Sequence, residues 1–342
     1  MVSKSVQIPR NLYLESTMIA PGLLLSIVIA AAATFVSDHY GGPKFLYALL
    51  LGISLHFLSE HGKCVAGIEF AAKKLVRIGV ALLGVRIAYS DVATIGVHGV
   101  GILAGAVVLT ILFSITFARL LRVPGPFALL AGGATGICGI SAAMAISSTL
   151  PQTKENEQFT LMTAIGVAAF STLAMVTYPL IVTSLGLTPA EAGMFLGGSI
   201  HDVAQVVGAG FMLSTEVGDA STLAKMFRVA MLMPVIVILA LSVRFNRSSE
   251  SSVSTLSTPI IPFFLLVFIA LIVANSFNLV PESAVNTMSD ASKWCLVISI
   301  AALGVKTSFE KLFSLGWKPI VLLFSNTVFI AGYMLLVIYL QM

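Results

Sequence analysis

Gly197-Gly-Ser-Ile-His-Asp-Val-Ala-Gln205 decides how this chain is read, because two adjacent glycines, a histidine, an aspartate and an amide stand inside an otherwise apolar run. A carboxylate at the centre of a bilayer costs roughly 2.5 to 3.5 kcal/mol even on insertion scales, so a chain that keeps one there has a use for it. Paired glycines weaken a helix, and non-helical backbone survives at membrane depth only where it is buried in protein or lines a wet cavity. The stretch predicts a transmembrane helix broken at a binding site.

The surrounding chain of 342 residues is 58% hydrophobic and 10% charged, with a mean hydropathy of +1.01. Soluble domains are about 25% charged. The expected fold is an all-α, polytopic transmembrane bundle, with length for about eleven spans of roughly 20 residues and no soluble domain. A single integral membrane domain over 1–342 follows. The net charge of +4 is too small and too scattered for a nucleic-acid surface. Cys64, Cys138 and Cys295 are isolated from one another and show neither disulfide nor metal spacing. No GxxxxGK phosphate loop occurs, which argues against an ATP-driven pump, and no cofactor is implied. The absence of a catalytic nucleophile with a partner base, or of a soluble catalytic domain, argues against an enzyme.

Apolar runs place spans near 17–36, 43–59, 68–88, 93–118, 126–150, 158–185, 190–214, 221–243, 259–278, 287–305 and 319–340. The first is read as a span and not as a cleaved leader, since no small-residue cleavage pattern precedes Ser37. Lysines and arginines such as Lys63, Lys73, Arg77, Arg119, Arg122, Arg244 and Lys318 then fall on one side, and essentially Lys44 and Lys154 on the other. This bias predicts a cytoplasmic N-terminus and a periplasmic C-terminus. In the third run Glu69, Lys73, Lys74 and Arg77 crowd the first half, which reads as a surface-lying amphipathic piece. The serine-rich stretch 246–258, ended by Pro259, reads as a cytoplasmic linker between possible halves 17–245 and 259–342.

Ala81-Leu-Leu-Gly-Val-Arg-Ile-Ala-Tyr89 aligns with Ala301-Ala-Leu-Gly-Val-Lys-Thr-Ser-Phe309, an offset of 220 that also pairs Gly96 with Gly316. Under the expected topology the two copies run in opposite directions, the pattern of an inverted repeat in secondary carriers. Arg86 and Lys306, related by this offset, read either as site cations or as side chains snorkelling to an interface.

A second interrupted segment is Gly132-Gly-Ala-Thr-Gly-Ile-Cys-Gly-Ile-Ser-Ala-Ala143. Gly132, Gly133, Gly136 and Gly139, with Thr135 and Ser141, leave backbone groups able to face a ligand. The competing reading is close helix packing by small residues. In the first stretch Gly198, Ser199 and Gln205 are further ligand candidates, while His201 and Asp202 suit proton or ion coupling or, alternatively, a structural pair. Lys225 and Arg228, one turn apart near the outer end of the eighth span, either attract an anion or snorkel. Pro234 predicts a kink there.

Gly136-Ile-Cys-Gly-Ile-Ser-Ala142, Ser199-Ile-His-Asp-Val-Ala-Gln-Val-Val-Gly-Ala-Gly210 and Lys225-Met-Phe-Arg-Val229, in this order, resemble the YeiH-type family of bacterial inner-membrane proteins, which is labelled a sulfate exporter family. The resemblance runs from about Pro21 to the C-terminus. It implies a multi-pass carrier with inverted repeats and crossed, broken helices. The family's glycine segment often reads Gly-Thr-Ser-Ile-Cys-Gly-Gly-Ser-Ala, so this chain lacks a serine hydroxyl at Gly136 and carries Ile140 where a glycine is usual. Two expectations stand together: a secondary exporter of a small anion (sulfate, or an organic sulfonate or carboxylate), or a cation/proton antiporter using Asp202. Its partners are then the anion and the lipid bilayer, and small-residue faces suit a homodimer.

Overall fold

The computed structural model describes residues 10–60, 62–246, 262–313 and 315–341, and no strand occurs among them. Apolar runs long enough to satisfy every backbone group internally become helices, the only open-chain solution in lipid. In chain order, Arg10–Tyr40 forms α1 and Lys44–Ser54 forms α2. Gly62–Phe70 (α3) passes through a π-helical turn, Ala71–Leu75, into Val76–Leu83 (α4). Tyr89–Leu121 (α5) is kinked at Gly96. Gly125–Gly136 (α6) and Ile140–Ser147 (α7) are the two pieces of one broken segment, and Lys154–Leu185 is α8. Pro189–Ser199 (α9) and Val203–Leu213 (α10) are the pieces of a second. Thr215–Ala230 (α11) turns at Met231 into Leu232–Asn246 (α12), three residues before the expected kink at Pro234. Phe263–Ser276 (α13), Glu282–Lys306 (α14), Phe309–Phe313 (α15) and Trp317–Gln341 (α16) complete the chain.

Among the described residues six stretches are long and apolar enough to cross a membrane: Met18–Tyr40, Ile95–Leu121, Lys154–Leu185, Thr215–Leu239, Glu282–Lys306 and Trp317–Leu340. The chain is thus an all-α polytopic membrane protein. The other expected spans are divided by glycine breaks, by the π turn, or into helices of 11 and 14 residues such as α2 and α13. Of the expected linker at 246–258, Asn246 ends α12 and 247–258 lie outside the described residues.

The chain forms two compact units. One comprises Met1–Gly79 and Lys293–Thr307, the other Val80–Ser292 and Ser308–Met342. In the first unit α1 meets α3 where Gly22 faces Gly67, so closely that a Cβ on Gly67 would lie 2.0 Å from the Ile19 carbonyl oxygen. Here Glu69 pairs with Lys73 and lies 3.9 Å from Lys306, all three partly exposed, so the crowded charges of the third run sit at a surface.

In the second unit α5, α6, α8 and α16 enclose an apolar core that includes Phe127, Ala131, Val167 and Leu322. Arg86 does not snorkel: its Nη2 is 3.0 Å from Asp219 Oδ2 in a largely buried ion pair. The 220-residue offset carries into local backbone. Helical segments end at Arg86 and at Lys306, a short helical piece follows each, and Gly96 (φ +59°) and Gly316 (φ +83°) each precede a long helix.

Candidate functional site

A helix that stops inside protein leaves carbonyl groups without their usual donors, and those groups need partners. The α6 helix stops at Gly136 because Gly139 takes φ +66° and ψ −128°, a conformation L side chains rarely adopt. The α9 helix stops at Ser199, with Ile200 extended at φ −67° and ψ 141°. Both ends therefore expose peptide oxygens to the interior. Gly139 lies beside the second break, since a Cβ there would lie 3.7 Å from the His201 oxygen.

Lys225 and Arg228 on α11 take up these oxygens. The Lys225 ammonium donates to Ile137 O at 2.7 Å, Ile200 O at 2.9 Å and His201 O at 2.6 Å. Arg228 donates through Nε to Gly136 O at 2.8 Å and through Nη2 to Thr135 O at 2.7 Å. Its Nη1 reaches across to Gly197 O at 3.0 Å and Ile200 O at 2.9 Å. Both side chains are 0% exposed, so they are buried pins between two broken helices and not interface anchors. Each cation bridges both breaks.

This arrangement follows from electrostatics. Two helix C-termini converge, each with about half a negative charge, and two N-termini (α7 and α10) start nearby with about half a positive charge each. Asp202 caps α10, its Oδ1 accepting Ala204 N–H at 2.9 Å, while its own N–H donates to Ser171 Oγ at 3.0 Å. The carboxylate is half-buried and its charge interacts with that of Lys225. Together with Lys225 and Arg228 these groups leave about one unit of positive charge around the breaks.

The remaining candidates divide. His201 is buried, with Nε2 2.9 Å from Thr327 Oγ1; that hydroxyl already donates to Leu323 O, so the ring nitrogen is the donor. Gln205 donates through Nε2 to Thr172 Oγ1 at 2.7 Å. The Thr135 hydroxyl is buried with no hydrogen-bond partner among the described residues. Ser199 is buried and donates to Phe195 O one turn back. Gly132, Gly133, Gly136 and Gly198 stand at close packing, against Ser114, Ile146, Val107 and Met334 respectively. Ser141 is exposed and does not join the cluster. An open groove of about 540 Å³, lined by Val97, His98, Gly101, Ile102 and Tyr333, includes none of these residues.

Sequence reasoning passed over Ser171, Thr172 and Thr327, which orient Asp202, Gln205 and His201. Their signal was available as paired polar residues inside apolar runs. The Arg86 to Asp219 pairing had none, because its partners are far apart in sequence.

The family model described as Conserved hypothetical protein 698 matches residues 21–323. A UPF0324 membrane protein of Chlorobaculum tepidum is 46% identical over 312 residues, 91% of this chain and 87% of that protein. The UPF0324 membrane protein TauZ of Paracoccus denitrificans is 44% identical over 328 residues, 96% of each chain. The UPF0324 inner membrane protein YeiH of Escherichia coli is 31% identical over 313 residues, 88% of each.

Proposed function

This chain belongs to the UPF0324 family of membrane proteins, and from that premise we propose that it is a secondary transporter that exports a small anion, such as sulfate or an organic sulfonate or carboxylate, across the bacterial inner membrane. The observation that carries this reading is the double bridge made by Lys225 and Arg228. Two buried cations that donate to main-chain oxygens on both sides make a positive centre where two helices lose their winding. Broken helices of this kind are where secondary carriers place their sites.

In this mechanism the two cations attract the anion through their field while their protons stay on the backbone. The Thr135 hydroxyl and the N–H groups at the starts of α7 and α10 supply direct contacts. Asp202 sits at the N-terminus of α10, half-buried, and takes up or releases the coupling proton, with His201 beside it. The segments related by the 220-residue offset form an inverted repeat, with the N-terminus cytoplasmic and the C-terminus periplasmic, and two copies of the chain pair as a homodimer.

The test is flux of labelled sulfate and labelled propionate in liposomes carrying the purified chain, with and without a pH gradient. Transport that responds to the gradient, and loses that response in Asp202→Asn, is the expected result. Vesicles that move neither anion above the protein-free level overturn it. Cation/proton antiport at Asp202 is the second reading, favoured by the half-buried carboxylate at a break. A sodium pulse that releases protons in anion-free vesicles would establish it instead.

A further inference from the structure

Two side-chain amides, Gln205 at the second break and Asn326 on α16, are oriented by hydroxyls that have already spent their protons. Ser114 Oγ donates to Ala128 O at 2.8 Å, so it can only accept from Asn326 Nδ2, 3.0 Å away. Thr172 Oγ1 donates to Ala168 O at 2.9 Å and likewise accepts from Gln205 Nε2. Turning either amide over would set oxygen against an oxygen with no proton to share. The amide oxygens are therefore fixed facing away from these hydroxyls. Gln205 is 1% exposed and Asn326 0%, and neither Oε1 nor Oδ1 has a hydrogen-bond partner among the described residues. The Thr135 hydroxyl is in the same condition.

Two of these groups stand at the breaks, and the third is on α16, which packs against α6 and α9. Thr135 is in the last turn of α6, Gln205 is in the first turn of α10, and Asn326 is the neighbour of the Thr327 that holds His201. Buried acceptors without donors raise the free energy of the protein until a donor reaches them. The protein's own strong donors are committed, since Lys225 has used all three protons and Arg228 four of five. The site thus combines a positive field with oxygen acceptors waiting for a hydrogen.

We propose that the anion carried here brings its own hydroxyl donor: a hydroxylated carboxylate is preferred over an anion, such as sulfate, that has acceptors alone. This rests on the anion-carrier reading of the same site. The field selects the charge, and Gln205 and Asn326 select the hydroxyl.

The test is a thermal-shift titration of the detergent-solubilised full chain with matched pairs, acetate against glycolate and propionate against lactate, and with sulfate. A ligand that binds only the folded state stabilises it by RT ln(1 + L/Kd), where L is the free ligand concentration, so the concentration dependence of the melting temperature gives its affinity. At least one hydroxy acid is expected to bind about tenfold more tightly than its plain partner and than sulfate, the effect of one well-made hydrogen bond. Gln205→Leu is expected to bring the hydroxy acid's affinity down toward that of its partner, and Asn326→Leu provides a second variant should the first fail to fold. Binding of all five anions within about twofold overturns the proposal and leaves the carrier reading standing, as it would if water satisfies the acceptors. No shift with any of them overturns both.

Discussion

Lys225 spends all three ammonium protons on peptide oxygens, and its removal leaves two of them, Ile137 O and His201 O, unpaired, since Ile200 O keeps its bond from Arg228. Each costs about 1 to 3 kcal/mol, against a total stability for ordinary domains of about 5 to 15 kcal/mol. Lys225→Met is therefore expected to remove most of the monodisperse folded protein in size-exclusion chromatography. A melting temperature within a degree of the parent would contradict this. Arg228→Lys keeps the charge but loses the fork that reaches Thr135 and Gly136 on one helix and Gly197 and Ile200 on the other. It is expected to melt several degrees below the parent yet above Arg228→Met. Both cations were visible in the sequence; their partners were not, because a main-chain oxygen at a helix break has no side-chain signature.

The broken helices were legible as elements, since glycine density and polar residues within an apolar run marked both. Which glycines turn the chain and which pack was not legible, because both uses need the same missing Cβ. The structure separates them. Gly139 alone in that segment has a positive φ, with a Cβ finding only ordinary contact at 3.4 Å, so Gly139→Ala costs backbone strain of about 1 to 3 kcal/mol. Gly67→Ala instead forces α3 off α1, because its Cβ would lie 2.0 Å from a carbonyl oxygen. Both are expected to lower the melting temperature by several degrees, whereas Gly101→Ala, with nothing within 4 Å, leaves it unchanged. Equal melting of all three would mean that these contacts are not made.

At the scale of the molecule, hydropathy located the six long apolar helices found among the described residues, but apolar length alone does not show where a run is divided. The π turn at Ala71–Leu75 lies among ordinary helix formers, and α13 stops after 14 residues although its run is as apolar as any. Gly96 and Gly316, which the 220-residue offset pairs, are both at positive φ with nothing within 4 Å of where a Cβ would stand. Alanine at either position is expected to cost a similar amount, about 1 to 3 kcal/mol, and to slow the proposed transport to a similar degree. A large effect at one and none at the other would separate the two copies functionally. The proposed anion transport depends on two helices broken side by side and pinned by Lys225 and Arg228. Electron cryomicroscopy of the chain in lipid nanodiscs with saturating lactate tests this most directly. Turns at 137–139 and 200–202, with added density within hydrogen-bond reach of Thr135 and Gln205, are expected; two uninterrupted helices, or lactate density elsewhere, would contradict it.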